Sequence, residues 1–201
     1  MKILLINSEN TLPDGYQPLL AEVTDGYYLE RNAAHAMRKM ICDAECSGIK
    51  LRVFSAYRSV AYQRGLFDED MNRYIKMGYS EDDAYKKTAQ SIALPGSSEH
   101  NAGLAADLST TEWVGEITEE FEKTDEFRWL DENACKYGYI LRYPRGKEHI
   151  TGITYEPWHY RYVGIPHSVF ISRHNITLEE YLDIACCSAN HGNLHKSDGR
   201  K

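Results

Sequence analysis

Two distant segments of this chain carry one set of chemistry, and only a fold that lays them side by side can use it. The first is Ser98-Glu99-His100-Asn101-Ala102-Gly103-Leu104-Ala105-Ala106-Asp107, and the second is Glu156-Pro157-Trp158-His159. His100 and Asp107 cannot share a helix turn. A loop running into a strand is expected to join them, with Asp107 on the same strand face as Ala105. Gly103 is expected to let the backbone turn close to the site. Glu156 and His159 are three apart, which on a regular strand puts them on opposite faces. Pro157 removes one ladder hydrogen bond, so a bulge is the expected route to convergence. Two histidines and an aspartate suffice as donors for one catalytic zinc with a position left for water, whereas structural zinc is usually closed by four cysteine-rich ligands. The pattern predicts metal-assisted hydrolysis, with a spare glutamate, Glu156, to handle the proton.

The remainder of the chain suits one soluble domain. Its 201 residues predict a single unit over 1–189, followed by a flexible polar tail at 190–201. A net charge of −7, with no basic block, argues against a nucleic-acid partner. No basic amphipathic stretch points to a membrane surface. The apolar run Ile3-Leu4-Leu5-Ile6 is too short for a secretory signal, and nothing approaches the ~20 apolar residues of a membrane span. A cytoplasmic location is expected, unless an N-terminal anchor has been removed. Five cysteines, none in a Cys-x-x-Cys spacing, fit reduced thiols. Cys42 and Cys46, on an expected helix, are read as small buried apolar side chains rather than a zinc pair.

Periodicity predicts an α+β fold, a small and mainly antiparallel sheet flanked by helices. Residues 3–24 read as a short strand and irregular chain, and 27–46 as an amphipathic helix. Strands are expected at 51–56, 104–109, 139–143 and about 155–163. Helices are expected at 59–77, at 81–93 with Ser80 as cap, and at 124–137. Thr177-Leu178-Glu179-Glu180 is a capping box that opens a last helix.

Ser98-x-His100-x6-Asp107 with Glu156-x-Trp158-His159 closely resembles the zinc site of the VanY and VanXY D-alanyl-D-alanine carboxypeptidases and dipeptidases, the LAS metallopeptidases. The likeness extends to Ser55-Ala56-Tyr57-Arg58-Ser59 with Gln63, to Tyr137 through Pro144, and to Ile150 through Tyr155. It spans roughly residues 4–184. The resemblance implies the Hedgehog/D,D-peptidase fold and one zinc ion held by His100, Asp107 and His159. Glu156 is implied as catalytic base and Arg58 as the holder of the substrate's negative charge, a task for which a guanidinium's paired hydrogen bonds are suited. Ser98, Gln63, Tyr57 and Trp158 are implied at the bound peptide. The implied activity is hydrolysis of the terminal D-Ala of peptidoglycan precursor stem peptides, with D,D-dipeptidase activity inseparable from it. L,D-carboxypeptidase action on tetrapeptides and a non-catalytic zinc module are the alternatives. Residues 78–97 are expected to cap the pocket, and His149 and His167 lie near it in sequence.

Overall fold

The sheet that positions the site is assembled from four short antiparallel strands, lying side by side in the order Leu51–Ser55, Ala105–Thr110, His159–Tyr162 and Tyr139–Leu141. A computed structural model describes residues 3–192. Before the sheet comes a hairpin of β1 (Leu20–Thr24) and β2 (Tyr27–Glu30), turned at Asp25-Gly26, where both residues have positive φ. That is the backbone a tight hairpin requires. The strand expected near the N-terminus therefore lies at its far end, and the helix expected from 27 begins only at Arg31. Helix α1 (Arg31–Cys46) is capped by the Glu30 carboxylate, which accepts from the Asn32 and Ala33 amides. Ala33, Met37, Met40 and Ala44 form its buried stripe. Cys42 and Cys46 lie off that stripe and are exposed, contrary to expectation, and none of the five cysteines forms a disulfide.

Strand β3 (Leu51–Ser55) leads into α2 (Val60–Lys76), capped by Ser59, and then α3 (Glu81–Ala89), capped by Ser80. A 3₁₀ turn at Glu99–Ala102 delivers the chain to β4 (Ala105–Thr110). Next come α4 (Asp125–Asn133) and β5 (Tyr139–Leu141). The helix expected over 124–137 is α4 followed by a 3₁₀ turn at Ala134–Tyr137. A short α5 (Glu148–Thr151) precedes β6 (His159–Tyr162), then α6 (His167–His174) and α7 (Leu178–Gly192). Thr177 and Glu180 make the reciprocal capping pair that opens α7. Residues 190–192, expected to be flexible, are thus helical, and 193–201 lie outside the described residues. No helix among the described residues is long and apolar enough to cross a membrane.

Alternation along the strands divides the sheet into a core face and a site face. Ala106, Leu108 and Tyr160 join Met37, Met40 and Val53 in the main apolar cluster. Their neighbours Asp107 and His159 face the other way. Strand β4 is buried almost throughout, which suits its small residues Ala105 and Ala106. Register then places Ser55 opposite Asp107 and Asp107 opposite His159, so three strands contribute to one row.

Candidate active site

His159 and Asp107 meet because cross-strand partners in an antiparallel pair stand side by side. His159 Nδ1 lies 3.1 Å from Asp107 Oδ1. His100 arrives from the 3₁₀ turn, with its Nε2 3.4 Å from the same oxygen. Ser98 starts that turn, its hydroxyl accepting from the His100 amide. Gly103 ends it at φ +67°, and a Cβ there would stand 2.8 Å from the Glu30 nitrogen. Only glycine fits so close an approach.

The three residues are buried, and their ligand atoms all lie within 4.8 Å of one another. Each ring nitrogen turned away from the cluster has its own partner. His100 Nδ1 donates to the Ala56 carbonyl at 2.7 Å, and His159 Nε2 lies 3.3 Å from Glu99 Oε2. With those hydrogens placed outward, His100 Nε2 and His159 Nδ1 offer lone pairs inward, as metal-bound imidazoles require. Two imidazoles and a carboxylate fit zinc by donor type. Charge supports the arrangement. Burial and nearby Arg58 push His100 down, which favours the neutral ligand form. Burial opposes ionisation of Asp107, but His100, His159 and Arg58 outweigh it and hold the carboxyl well below its usual range.

Glu156 reaches the cluster from a turn and not from a bulge. Pro157 and Trp158 are its central residues, and the His159 amide donates back to the Glu156 carbonyl at 3.2 Å. Proline suits that second turn position because its ring presets φ, and β6 begins only at His159. Glu156 Oε2 thus stands 3.6 Å from His159 Nδ1. Burial is the largest influence on this carboxyl and pushes it up to about 8. Arg58 lines the same cleft. Its Nη2 is 2.6 Å from Asp107 Oδ2, and its Nε donates to Ser55 Oγ at 2.9 Å. Asp107 is therefore shared, with Oδ1 toward the histidines and Oδ2 toward the guanidinium.

These groups open into a cleft of about 450 Å³ lined also by Gln63, Ile92, Ala93, Ser98, Tyr143 and Trp158. Gln63 is less available to a ligand than expected. Its Nε2 donates to the Ala93 carbonyl at 2.9 Å, and Arg58 Nη1 reaches its Oε1 at 3.5 Å. It steadies the wall at 91–93, the part of the expected cap that lines the cleft. Tyr57 is absent from the lining, and its amide instead donates to the Tyr28 carbonyl. Neither His149 nor His167 lines the cleft, and His167 Nδ1 is bonded to the Tyr181 hydroxyl at 2.6 Å. Sequence reasoning gave no role to Glu99, although an acid beside a ligand histidine was a visible signal. Tyr143 was also missed, and its ring packs on His159 with centroids 4.8 Å apart.

The family model described as VanY: D-alanyl-D-alanine carboxypeptidase matches residues 26–165. The bifunctional D-Ala-D-Ala dipeptidase and D-Ala-D-Ala carboxypeptidase VanXYC of Enterococcus gallinarum is 34% identical over 187 residues, covering 89% of this chain and 92% of that protein. The D-alanyl-D-alanine carboxypeptidases of Enterococcus faecalis and Enterococcus faecium are longer, and the chain spans 65% and 51% of them. Among solved structures, VanYB in complex with D-alanine-D-alanine superposes with a TM-score of 0.81 at 34% identity, over 89% of this chain and 96% of that one. A point mutant of the D,D-pentapeptidase VanY from the VanB-type resistance cassette, in complex with Zn(II), gives 0.79 at 35% identity over 89% and 97%. The LD-carboxypeptidase LdcB gives 0.78 at 36% identity over 89% and 84%.

Proposed function

The chain belongs to the VanY family of D-alanyl-D-alanine carboxypeptidases, and from that premise we propose a zinc-dependent D,D-carboxypeptidase that removes the terminal D-Ala of peptidoglycan precursor stem peptides. The observation that carries this reading is the convergence of His100, Asp107 and His159 in one buried cluster, with Glu156 and Arg58 on its cleft side. His100, Asp107 and His159 are the proposed ligands. Zinc, when bound, supplies a Lewis acid for the scissile carbonyl and makes water acidic enough to ionise near neutral pH.

The chain's own groups divide the remaining work. Glu156, the carboxylate beside the cluster, accepts a proton from the attacking water and delivers it to the leaving amine. Arg58 is held by Ser55 and Asp107 on two of its nitrogens, which aims the third, Nη1, along the cleft wall. There it meets the negative charge of substrate or of the oxyanion that develops during attack. Tyr143 and Trp158 exclude water around the peptide. Ser98 stands on the same wall.

Likeness to LdcB favours one second reading, cleavage of tetrapeptides at an L,D bond. A cytoplasmic site of action belongs to the same proposal, since five cysteines with no disulfide among them suit a reducing compartment. The test is D-alanine release by zinc-loaded protein from D-Ala-D-Ala, a muramyl pentapeptide ending in it, and the corresponding tetrapeptide. Release from the pentapeptide supports the proposal, and release from the dipeptide as well adds dipeptidase activity. Release from the tetrapeptide alone replaces the proposal with the L,D reading.

A further inference from the structure

Glu99 does not line the cleft, yet it sits at the centre of a charge cluster almost closed to solvent. The Glu99 and Arg142 side chains are 0% exposed and that of Arg161 is 1% exposed. Glu99 Oε1 accepts from Arg142 Nε at 2.7 Å and from Arg161 Nη1 at 2.6 Å. Oε2 is left to face His159 Nε2 at 3.3 Å. Each arginine is fixed from outside in turn. Arg142 bonds both carboxylate oxygens of Glu179 on α7, and Arg161 bonds the Leu4 carbonyl.

Stability alone is a poor explanation for such a cluster. Desolvating several charges offsets most of their attraction, and well-packed apolar side chains commonly do as well. The geometry offers a better one. Two guanidiniums on Oε1 fix the plane of the carboxylate and keep it ionised, so Oε2 can only accept. His159 Nε2 must then carry a hydrogen, and the ring is turned so that Nδ1 is the nitrogen that points into the Asp107–His100 cluster, where it can be offered to zinc. Partners of this kind orient metal-bound imidazoles and raise their basicity.

We propose that Glu99, clamped by Arg142 and Arg161, is a positioning residue for His159, setting which ring nitrogen is offered to zinc and in what direction. The proposal rests on the reading of His100, Asp107 and His159 as zinc ligands.

Zinc affinity tests it, measured by competition with a chromophoric chelator on the full chain. E99Q keeps the side chain's shape but removes the charge, and it is expected to weaken zinc binding ~10–100-fold. E179Q loosens the outer clamp without touching Glu99 or His159. It is expected to lower the melting temperature while leaving zinc affinity unchanged. Equal zinc affinity in wild type and E99Q, or equal weakening by E99Q and E179Q, overturns the proposal. Should E99Q fail to fold, ¹⁵N NMR of the His159 ring in zinc-loaded wild type decides. A retained Nε2 hydrogen supports the proposal, and an unprotonated Nε2 refutes it. The two readings fail separately: wild type that takes up no zinc removes the metal site itself, whereas zinc-binding wild type matched by E99Q removes only the role of Glu99.

Discussion

Gly103→Ala is the substitution whose effect the structure defines most closely. Gly103 has φ +67°, and an added Cβ would lie 2.8 Å from the Glu30 nitrogen, 3.1 Å from Leu20 Cδ2 and 3.4 Å from the Leu29 carbonyl carbon. The Glu30 nitrogen cannot swing aside freely. It donates to the Gly103 carbonyl at 2.7 Å, and Glu30 also caps α1. Left-handed backbone costs an alanine roughly 1–2 kcal/mol. Forcing a close-packed backbone apart adds roughly 1–3 kcal/mol. A total near ~3 kcal/mol should lower the melting temperature by roughly 6–12 °C for a chain of this size. The control is Gly96→Ala, where φ is +85° but nothing lies within 4 Å of the new Cβ. There only the left-handed penalty applies, so the loss should be about half as large or less. Thermal unfolding followed by circular dichroism, on metal-free protein, gives both numbers. Because His100 lies on the turn that Gly103 ends, zinc affinity should fall in the first variant and not in the second. Equal melting losses in the two variants would refute the argument from close approach.

Other outcomes follow from the same geometry. Gly65 lies within α2 with open space around its Cβ, so Gly65→Ala should raise stability by about 0.5–1 kcal/mol in chemical denaturation. Arg58→Met should lower kcat/KM by ~10²–10³-fold, as expected for loss of a charge-stabilising donor, and it should also weaken zinc binding because Arg58 orients Asp107. His100→Ala should lower zinc content by elemental analysis, and full occupancy would contradict its assignment as a ligand. In the metal-free protein, burial pushes Glu156 up to about 8. Burial works against the charge on His159, but hydrogen bonds to Asp107 and Glu99 push it up to about 9. Unfolded, these groups release their protons near 4.5 and 6.5, so the folded state holds more protons in between. Stability should therefore fall as pH rises from about 6.5 to about 9, above the range in which the lowered His100 works the other way. The His159 contribution is complete below its unfolded value and is lost through the folded one. A melting temperature that is flat or rising over that range in chelated protein would contradict this.

Much of the site was legible because its residue types and spacings are chemically selective. His100, Asp107 and His159 could be grouped from sequence alone, and the structure brings them together as a loop-to-strand unit facing a second strand. Helices α2 and α3 were also visible, since Ser80 caps the second and Gly78 separates them. The convergence of Glu156 was anticipated, but its cause was not. A proline inside an apolar run reads equally well as a bulge or as a turn, and only the late start of β6 at His159 separates the two. The Tyr27–Glu30 strand was absorbed into the following helix because its alternation covers too few residues to compete with the helical pattern beyond it. Cys42 and Cys46 read as buried because helix phase was not applied to them. The acid beside His100 was visible, but the role of Glu99 was not, because its partners, Arg142 and Arg161, come from the chain just after β5 and from β6. No local pattern links an acid to two arginines so far away. Tyr57, expected at the bound peptide from the motif around Arg58, does not line the cleft.

The central claim is that a zinc site built from His100, Asp107 and His159, with Glu156 as the proton carrier, removes D-alanine from stem peptides. The most direct measurement is D-alanine release from a pentapeptide ending in D-Ala-D-Ala, compared across zinc-loaded wild type, chelated wild type and zinc-loaded Glu156→Ala, with zinc content determined on each sample. Predicted is release by the zinc-loaded wild type alone, with Glu156→Ala retaining one zinc per chain while losing ~10²–10⁴-fold in turnover. Release that survives chelation, or near-normal turnover by Glu156→Ala, would contradict the account.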